Sequence, residues 1–228
     1  LVARVAADGW VLRLSLRAVR FTARPTTAHW RYFLGESWPL GIGTVISTAI
    51  QQAPTLALGT FNLAAVGFFH AALRIPLQLA LLPQIIRTST FPLMARSWVI
   101  DREEFRRMLD RLIAGSLLLA IPLTILGIGL AEPVVRTLFG PAFQGAVLPF
   151  ALLLSAIGLL FPGILLGESL TAAGFQRVNL AVSFVAFLCL LTLLTLLVPS
   201  GGATGAALAV LGTYLALVGL TVLGARWR

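Results

Sequence analysis

A single arginine lies about halfway along an apolar stretch that is long enough to cross a lipid bilayer. The stretch runs from Phe61 to Trp98, and the arginine is Arg74. A charge at mid-membrane depth costs about 3 kcal/mol on insertion scales, so it ordinarily faces a partner or a water-filled cavity. His70 and Gln78 lie four residues before and after Arg74, which places the three side chains on one helical face. Because the planar guanidinium matches phosphate oxygens, this pattern predicts a site for an anionic group.

A second polar stripe precedes the first one along the chain. Thr44, Thr48, Gln51 and Thr55 follow spacings of four, three and four residues, with Gln52 beside them. If the two stripes lie on consecutive, antiparallel helices, they would line one hydrated pathway. The alternative is that these side chains hydrogen-bond between helices, which contributes about 0.6 kcal/mol each on average. The predicted substrate-binding residues are Arg74, Gln78, His70, Gln51, Gln52, Thr48 and Thr55.

Two carboxylates flank the predicted spans, and neither is level with Arg74. Glu36 lies just before the first span, and Glu168 lies near the end of the fourth. Both are candidates for gating or cation coupling, and the alternative is that they are solvated carboxylates at the headgroup interface. No metal or cofactor is expected. The sequence also has no phosphate-binding glycine loop and no plausible serine–histidine–acid set, so we predict that the chain is not an enzyme.

The composition is that of an integral membrane protein. Of the 228 residues, 58% are hydrophobic and only 11% are charged, whereas about a quarter of residues are charged in soluble domains. The mean hydropathy is +0.96. The net charge of +9 comes from arginines in short segments between apolar runs, which is typical of the positive-inside rule and argues against nucleic acid as a partner. Membrane lipids are the expected surroundings.

The apolar runs predict an all-α, polytopic fold with six transmembrane helices, each about 20 residues long. We predict a basic, partly amphipathic connector at residues 1–35 and an interfacial amphipathic helix at about 99–111, within a transmembrane lobe at 36–228. The six spans are predicted at residues 38–58, 63–86, 112–131, 146–167, 180–198 and 203–225.

The distribution of arginine predicts the orientation. Six arginines precede the first span, five lie between residues 96 and 111, and Arg177, Arg226 and Arg228 follow, all on one side of the predicted membrane. The loops on the other side contain only Arg136. The positive-inside rule therefore places both ends of the sequence in the cytoplasm. Because the sequence begins with Leu1 and has no recognisable leader, we expect a preceding part of a longer protein.

Several weak motifs in a fixed order resemble the second lobe of polysaccharide and lipid-linked oligosaccharide flippases. The resemblance extends from about Tyr32 to the C-terminus. It rests on LAAVGFFHAALR at 63–74, FPLMAR at 91–96, DREEFR at 101–106, LFGPAF at 138–143, LTAAGFQR at 170–177 and GATGAALA at 202–209.

This resemblance implies a two-lobe, alternating-access transporter of a bacterial cytoplasmic membrane, with an N-terminal lobe as the partner of this C-terminal one. Arg74 matches a cavity arginine that meets the pyrophosphate of an undecaprenyl-linked glycan in the family. Many relatives carry an Arg-x-Asp-like pair near the outer end of the first helix, where this sequence has Gln52, Ala53 and Pro54. Charge-based recognition at that point is therefore not implied.

Three functions follow as hypotheses. The leading one is a flippase lobe that translocates a polyprenyl-diphosphate-linked oligosaccharide for surface polysaccharide biosynthesis. The first alternative is a cation-coupled multidrug exporter of the same superfamily, for which acidic cavity residues would be expected. The second is a non-transporting membrane scaffold or assembly partner.

Overall fold

The computed structural model of the chain describes residues 27–226 and, separately, Trp10; the side chains of residues 27–29, 32–34, 36, 225 and 226 are outside the description. Two compact units, Leu1–Trp38 and Pro39–Arg228, divide the chain. Most of the basic connector predicted at residues 1–35 lies outside the described residues.

The described residues form helices and no strand. Four helical stretches are long and apolar enough to cross a membrane: Leu63–Ile100, Arg102–Gly129, Pro141–Ala172 and Gln176–Gly224. The predicted all-α, polytopic membrane fold is thereby confirmed. In chain order the helices are α1 (Thr27–Phe61), α2 (Leu63–Leu79), α3 (Leu81–Ile100), α4 (Arg102–Gly129), α5 (Ala131–Phe139), a 3-10 helix (Pro141–Ala146), α6 (Val147–Ala172) and α7 (Gln176–Arg226).

The longest helix, α7, is a hairpin of two arms. Its 51 residues contain a sharp bend at Gly202, whose φ of 50° and ψ of −128° favour glycine. Beyond the bend the chain returns antiparallel, so that Gly205 comes against the Leu197 carbonyl and Gly224 comes against Val178. The two arms contain the apolar runs from which spans were predicted at 180–198 and 203–225.

The other helix boundaries also follow local chemistry. Asn62 alone separates α1 from α2, and its side chain caps α2 by accepting from the backbone N–H groups of Ala64 (2.9 Å) and Ala65 (3.4 Å). Ala80 separates α2 from α3, where Pro83 has no N–H to donate to the Leu79 carbonyl. Past this break α3 continues to Ile100, well beyond the end of the span predicted at residue 86.

The charged segment after α3 is divided between two helices. Asp101 caps α4 by accepting from the N–H groups of Glu103 and Glu104. Across this corner the Arg102 guanidinium lies 3.5 Å above the Trp98 ring, and Trp98 packs edge-on against Phe105. The amphipathic residues predicted to form a helix at 99–111 thus lie mainly in the first turns of α4, which continues into the third apolar run.

Helix α1 differs from the other long helices in its hydropathy. It contains the first predicted span, yet it is absent from the four membrane-crossing stretches among the described residues, because threonine and glutamine interrupt its apolar sequence. One stripe of α1 packs into the hydrophobic core through Ile46, Ile50 and Leu58. Because this stripe faces the core, the other faces of α1 point away from it.

Helix α6 is the centre of the lobe. It packs against α2, α3, α4, α5 and α7 and buries Phe150, Leu153, Phe161 and Leu165. Gly158 lies directly against Thr124 of α4. Small residues of this kind allow membrane helices to approach closely. A well-packed centre therefore supports the more exposed α1 and α2.

The segment between α4 and α6, which lies between the spans predicted at 112–131 and 146–167, is helical. It forms α5 and the 3-10 helix, which join at Gly140 with a φ of 84°. Val135 is fully buried and fixes α5 to the core. This segment matters because it forms one wall of the candidate site.

The α7 hairpin makes a prediction about two neighbouring glycines. A Cβ at Gly205 would clash with the backbone of Leu197, whereas a Cβ at Gly201 would meet nothing within 4 Å. We expect Gly205→Ala to destabilise the protein by roughly 1–3 kcal/mol, as overpacking does. Thermal unfolding of the detergent-solubilised variants would measure this, with Gly201→Ala as the control. Equal melting temperatures for the two variants would contradict the hairpin packing.

Candidate functional site

Arg74 faces an open cavity on the outside of the lobe. His70 and Arg74 line this cavity of about 460 Å³ together with Ala71, Leu73, Leu77, Phe139 and Phe143. The opposite face of α2 is buried through Ala65, Phe69, Ala72 and Pro76, so packing orients the arginine outwards. None of the ion pairs found among the described residues involves Arg74. Its guanidinium is thus exposed towards a cavity with no carboxylate in its lining.

The second wall of the cavity comes from the segment between α4 and α6. Phe139 ends α5 and Phe143 lies in the 3-10 helix, with their ring centroids 5.8 Å apart. Phe143 also packs edge-on against Phe68 of α2, at 5.8 Å and 88°. This contact holds the segment against the helix that carries Arg74. Sequence reasoning did not select the two phenylalanines as site residues, although both lie in the quoted 138–143 motif.

His70 connects the cavity to α1. Its Nε2 atom lies 3.4 Å from the hydroxyl oxygen of Thr55, a long hydrogen bond between the two helices. The two residues stand at similar distances on either side of the Asn62 turn, so this hydrogen bond links the two helices that the turn joins. Thr55 and His70 are the point at which the two predicted polar stripes meet.

The other polar residues of α1 turn away from the core of the lobe. Thr44, Thr48, Gln51 and Gln52 are exposed, on the far side of the helix from Ile46 and Ile50. The Thr48 hydroxyl donates to the Thr44 carbonyl at 2.9 Å, and the Gln51 amide donates to the Ser47 carbonyl at 3.3 Å. Hydrogen bonds within one turn satisfy these donors without a partner helix. Gln78 is also exposed and lies one turn beyond Arg74, outside the cavity lining.

Glu168 lies far along α6 from the cavity and pairs with an arginine that sequence reasoning had not selected. Its Oε1 atom is 3.4 Å from Nε of Arg87 on α3. Of the three ion pairs found in the described part of the chain, this one alone joins two helices. Arg87 was overlooked because it stands where the second span was expected to end. Glu36 lies in α1, and its side chain is outside the described residues.

Apart from the cavity, the described residues offer little that is typical of catalysis. Within residues 27–226, no group of three or more histidine, cysteine, aspartate or glutamate side chains is placed to hold a metal ion. Cys189 is an unpaired thiol within α7. What the cavity can do is attract an anion to one guanidinium between apolar and aromatic walls.

This architecture defines a multi-pass, α-helical membrane protein with a polar face on two consecutive helices. Two solved structures share the fold, each with a TM-score of 0.68, 21% sequence identity and coverage of 84% of this chain and 43% of theirs. One is a MOP superfamily transporter from Pyrococcus furiosus, described as having a binding pocket of reverse polarity. The other is a multidrug resistance MATE family transporter of the same superfamily in an outward-facing conformation. The chain thus spans less than half the length of these transporters.

The family model for polysaccharide biosynthesis proteins matches residues 1–148, about two thirds of the chain. The chain belongs to this family of polysaccharide biosynthesis proteins, which confirms the resemblance found in the sequence. The match includes the N-terminal segment that precedes the first predicted span. No curated protein matches the sequence. The two solved structures that share the fold are both transporters, in agreement with the prediction that the chain is not an enzyme.

The Arg87–Glu168 pair predicts an energetic coupling between α3 and α6. Glu168 is only 19% exposed, whereas Arg87 is 42% exposed, so removing Arg87 leaves a carboxylate with reduced solvation and removing Glu168 costs only the attraction between the two charges. We expect Arg87→Gln and Glu168→Gln each to destabilise the protein, and the double variant to lose less than the sum, with a coupling free energy on the order of 1 kcal/mol. A double-mutant cycle of unfolding in detergent would measure the coupling. The well-exposed Glu132–Arg136 pair within α5 is the control, with coupling near zero; equal coupling in the two pairs would contradict the prediction.

Proposed function

We propose that the chain is the C-terminal, six-helix lobe of a flippase. It moves a polyprenyl-diphosphate-linked oligosaccharide across a bacterial cytoplasmic membrane by alternating access, for surface polysaccharide biosynthesis. The observation that carries this proposal is Arg74, an exposed guanidinium in an open cavity that has no carboxylate in its lining. Membership of the polysaccharide biosynthesis family supports the substrate class.

The exposed faces of α1 and α2 support a second lobe as partner. Gln51, Gln52 and Arg74 point away from the core of this lobe. Facing hydrocarbon, the guanidinium would incur the penalty for a charge within a bilayer, whereas a hydrated cavity between two lobes removes that penalty. The solved transporters are about twice as long as this chain, which leaves room for an N-terminal lobe across the cavity.

The two candidate carboxylates, Glu168 and Glu36, have different roles in this proposal. Because Glu168 is paired with Arg87 across α3 and α6, we assign it to the cytoplasmic gate rather than to ion coupling. Glu36 remains a candidate for either role. Because its charge is already balanced by Arg87, Glu168 is less available to a coupled cation.

The two alternatives predict different behaviour at Arg74. A multidrug exporter that accepts cations would gain nothing from a guanidinium in its cavity, because like charges repel. A non-transporting scaffold would be indifferent to the charge. Replacing this one residue therefore separates the three functions.

In the full-length protein we expect Arg74→Ala to abolish export of the lipid-linked glycan, because the diphosphate loses its counter-charge. Arg74→Lys should recover only part of the activity, since an ammonium cannot make the bidentate contact of a guanidinium. The measurement is the amount of lipid-linked glycan on each leaflet of the membrane. Arg106→Ala is the control, because Arg106 is exposed on α4 away from the cavity.

Protein level and melting temperature must be matched across these variants. Export that continues unchanged in Arg74→Ala at a normal protein level would overturn the proposed role. Export of cationic drugs that increases in the same variant would favour the multidrug alternative instead.

The proposed orientation has its own test in cells. In a background of Cys189→Ala, a single cysteine at Ser200 should react with a membrane-impermeant maleimide from outside, and a single cysteine at Arg106 should react only after permeabilisation. The positive-inside distribution of arginine is the reason for this expectation. Labelling of position 106 in intact cells would contradict the proposed orientation and indicate the opposite one.

A further inference from the structure

The lining of the Arg74 cavity is poorly suited to a sugar. Of its seven residues only His70 and Arg74 have polar side chains, and the Nε2 atom of His70 is already directed towards Thr55. An oligosaccharide carries many hydroxyl groups, and each one that is buried without a hydrogen-bond partner costs free energy. The part of the occupant that contacts this lobe is therefore expected to be apolar except at one anionic point.

We infer that the cavity binds the junction between phosphate and prenyl chain in the cargo, and that the glycan lies outside it. The inference rests on the proposed function and adds the part of the substrate that is recognised here. The Arg74 guanidinium binds the phosphate, while Phe139 and Phe143 contact the first isoprenyl units. A volume of about 460 Å³ is within the range of roughly 300–1,000 Å³ typical of small-molecule sites.

The direct contact between charged and apolar surface favours a prenyl phosphate over an ordinary phospholipid. In a prenyl phosphate the hydrocarbon begins at the phosphate oxygen, without any polar linker. A phosphatidyl lipid has a glycerol diester between phosphate and chains, and its ester oxygens would lie against Leu73, Leu77 and the phenyl rings. The lining offers those oxygens no donor beyond His70 and Arg74.

The position of the phenyl rings is set by packing. Phe143 is held by its edge-on contact with Phe68, and the Phe68 ring itself lies next to Gly145, 3.5 Å from where a Cβ would stand on that residue. The aromatic wall therefore exists before any ligand binds. A preformed apolar wall reduces the entropic cost of binding a flexible chain.

Equilibrium binding to the purified full chain in lipid nanodiscs tests the inference. The probe is farnesyl monophosphate, compared with farnesol, inorganic phosphate, dioleoyl phosphatidylglycerol and a water-soluble nucleotide sugar. We expect farnesyl monophosphate to bind at least about tenfold more tightly than each of the others, because only it supplies both the charge and the adjoining hydrocarbon. Since this comparison uses the unaltered protein, it does not depend on the folding of any variant.

Two variants and a control locate the site. Arg74→Ala and Phe139→Ala should each weaken binding of farnesyl monophosphate about tenfold, whereas Phe184→Ala should leave it unchanged, because Phe184 is exposed on α7 away from the cavity. Equal binding of phosphatidylglycerol, or no effect of Phe139→Ala in a folded protein, would overturn the inference. If glycan export nevertheless required Arg74, the proposed function would stand although the inferred binding of the prenyl phosphate had failed. Tight prenyl phosphate binding with export independent of Arg74 would overturn the function instead.

Discussion

The hydrocarbon core of a bilayer offers no hydrogen-bond partner, and this absence determines where every polar group of the lobe can lie. Backbone groups are satisfied within helices, and most hydroxyls of the spans donate to a carbonyl one turn earlier, as Thr213 does at 2.7 Å. Arg74 has no such local solution, because five N–H donors cannot be satisfied by one turn of its own helix. The lobe accommodates Arg74 by leaving it at a cavity and building apolar walls around it.

The packing of the lobe also separates buried apolar surface from exposed polar surface. Apolar and small residues of α6 and α7 form a closely packed centre, while α2 contributes one buried face and one exposed face. Helix α1 is attached through a single stripe and a one-residue turn at Asn62. Helices α1 and α2 thus each combine a packed stripe with an exposed polar face, as expected for the surface that would meet a second lobe.

Much of the fold could be predicted from the sequence, because a span must be apolar over the thickness of the bilayer and turn residues mark where a span ends. The all-α membrane fold, the exposed face of His70, Arg74 and Gln78, and the family all followed from local patterns. Phe139 and Phe143 could not be selected in the same way, since a phenylalanine in an apolar stretch looks alike whether it packs in a core or lines a cavity. The Arg87–Glu168 pair was missed for a related reason: its two residues are 81 positions apart in the sequence, and only tertiary packing brings them together.

The junction at Ala80, whose dihedral angles are still helical and whose N–H bonds to the Pro76 carbonyl, joins α2 and α3 into one long stretch. From Leu63 to Ile100 this stretch has 38 residues, about 57 Å at 1.5 Å per residue, nearly twice the thickness of the hydrocarbon core. The 20 residues of α3 beyond this junction form an arm of about 30 Å. A change of only about 10° in direction at Ala80 would displace its far end by roughly 5 Å, the rise of one helical turn. The stretch thus places the residues that face the anion site and the Trp98 side chain at opposite ends, so a small change of direction between α2 and α3 would be amplified at Trp98.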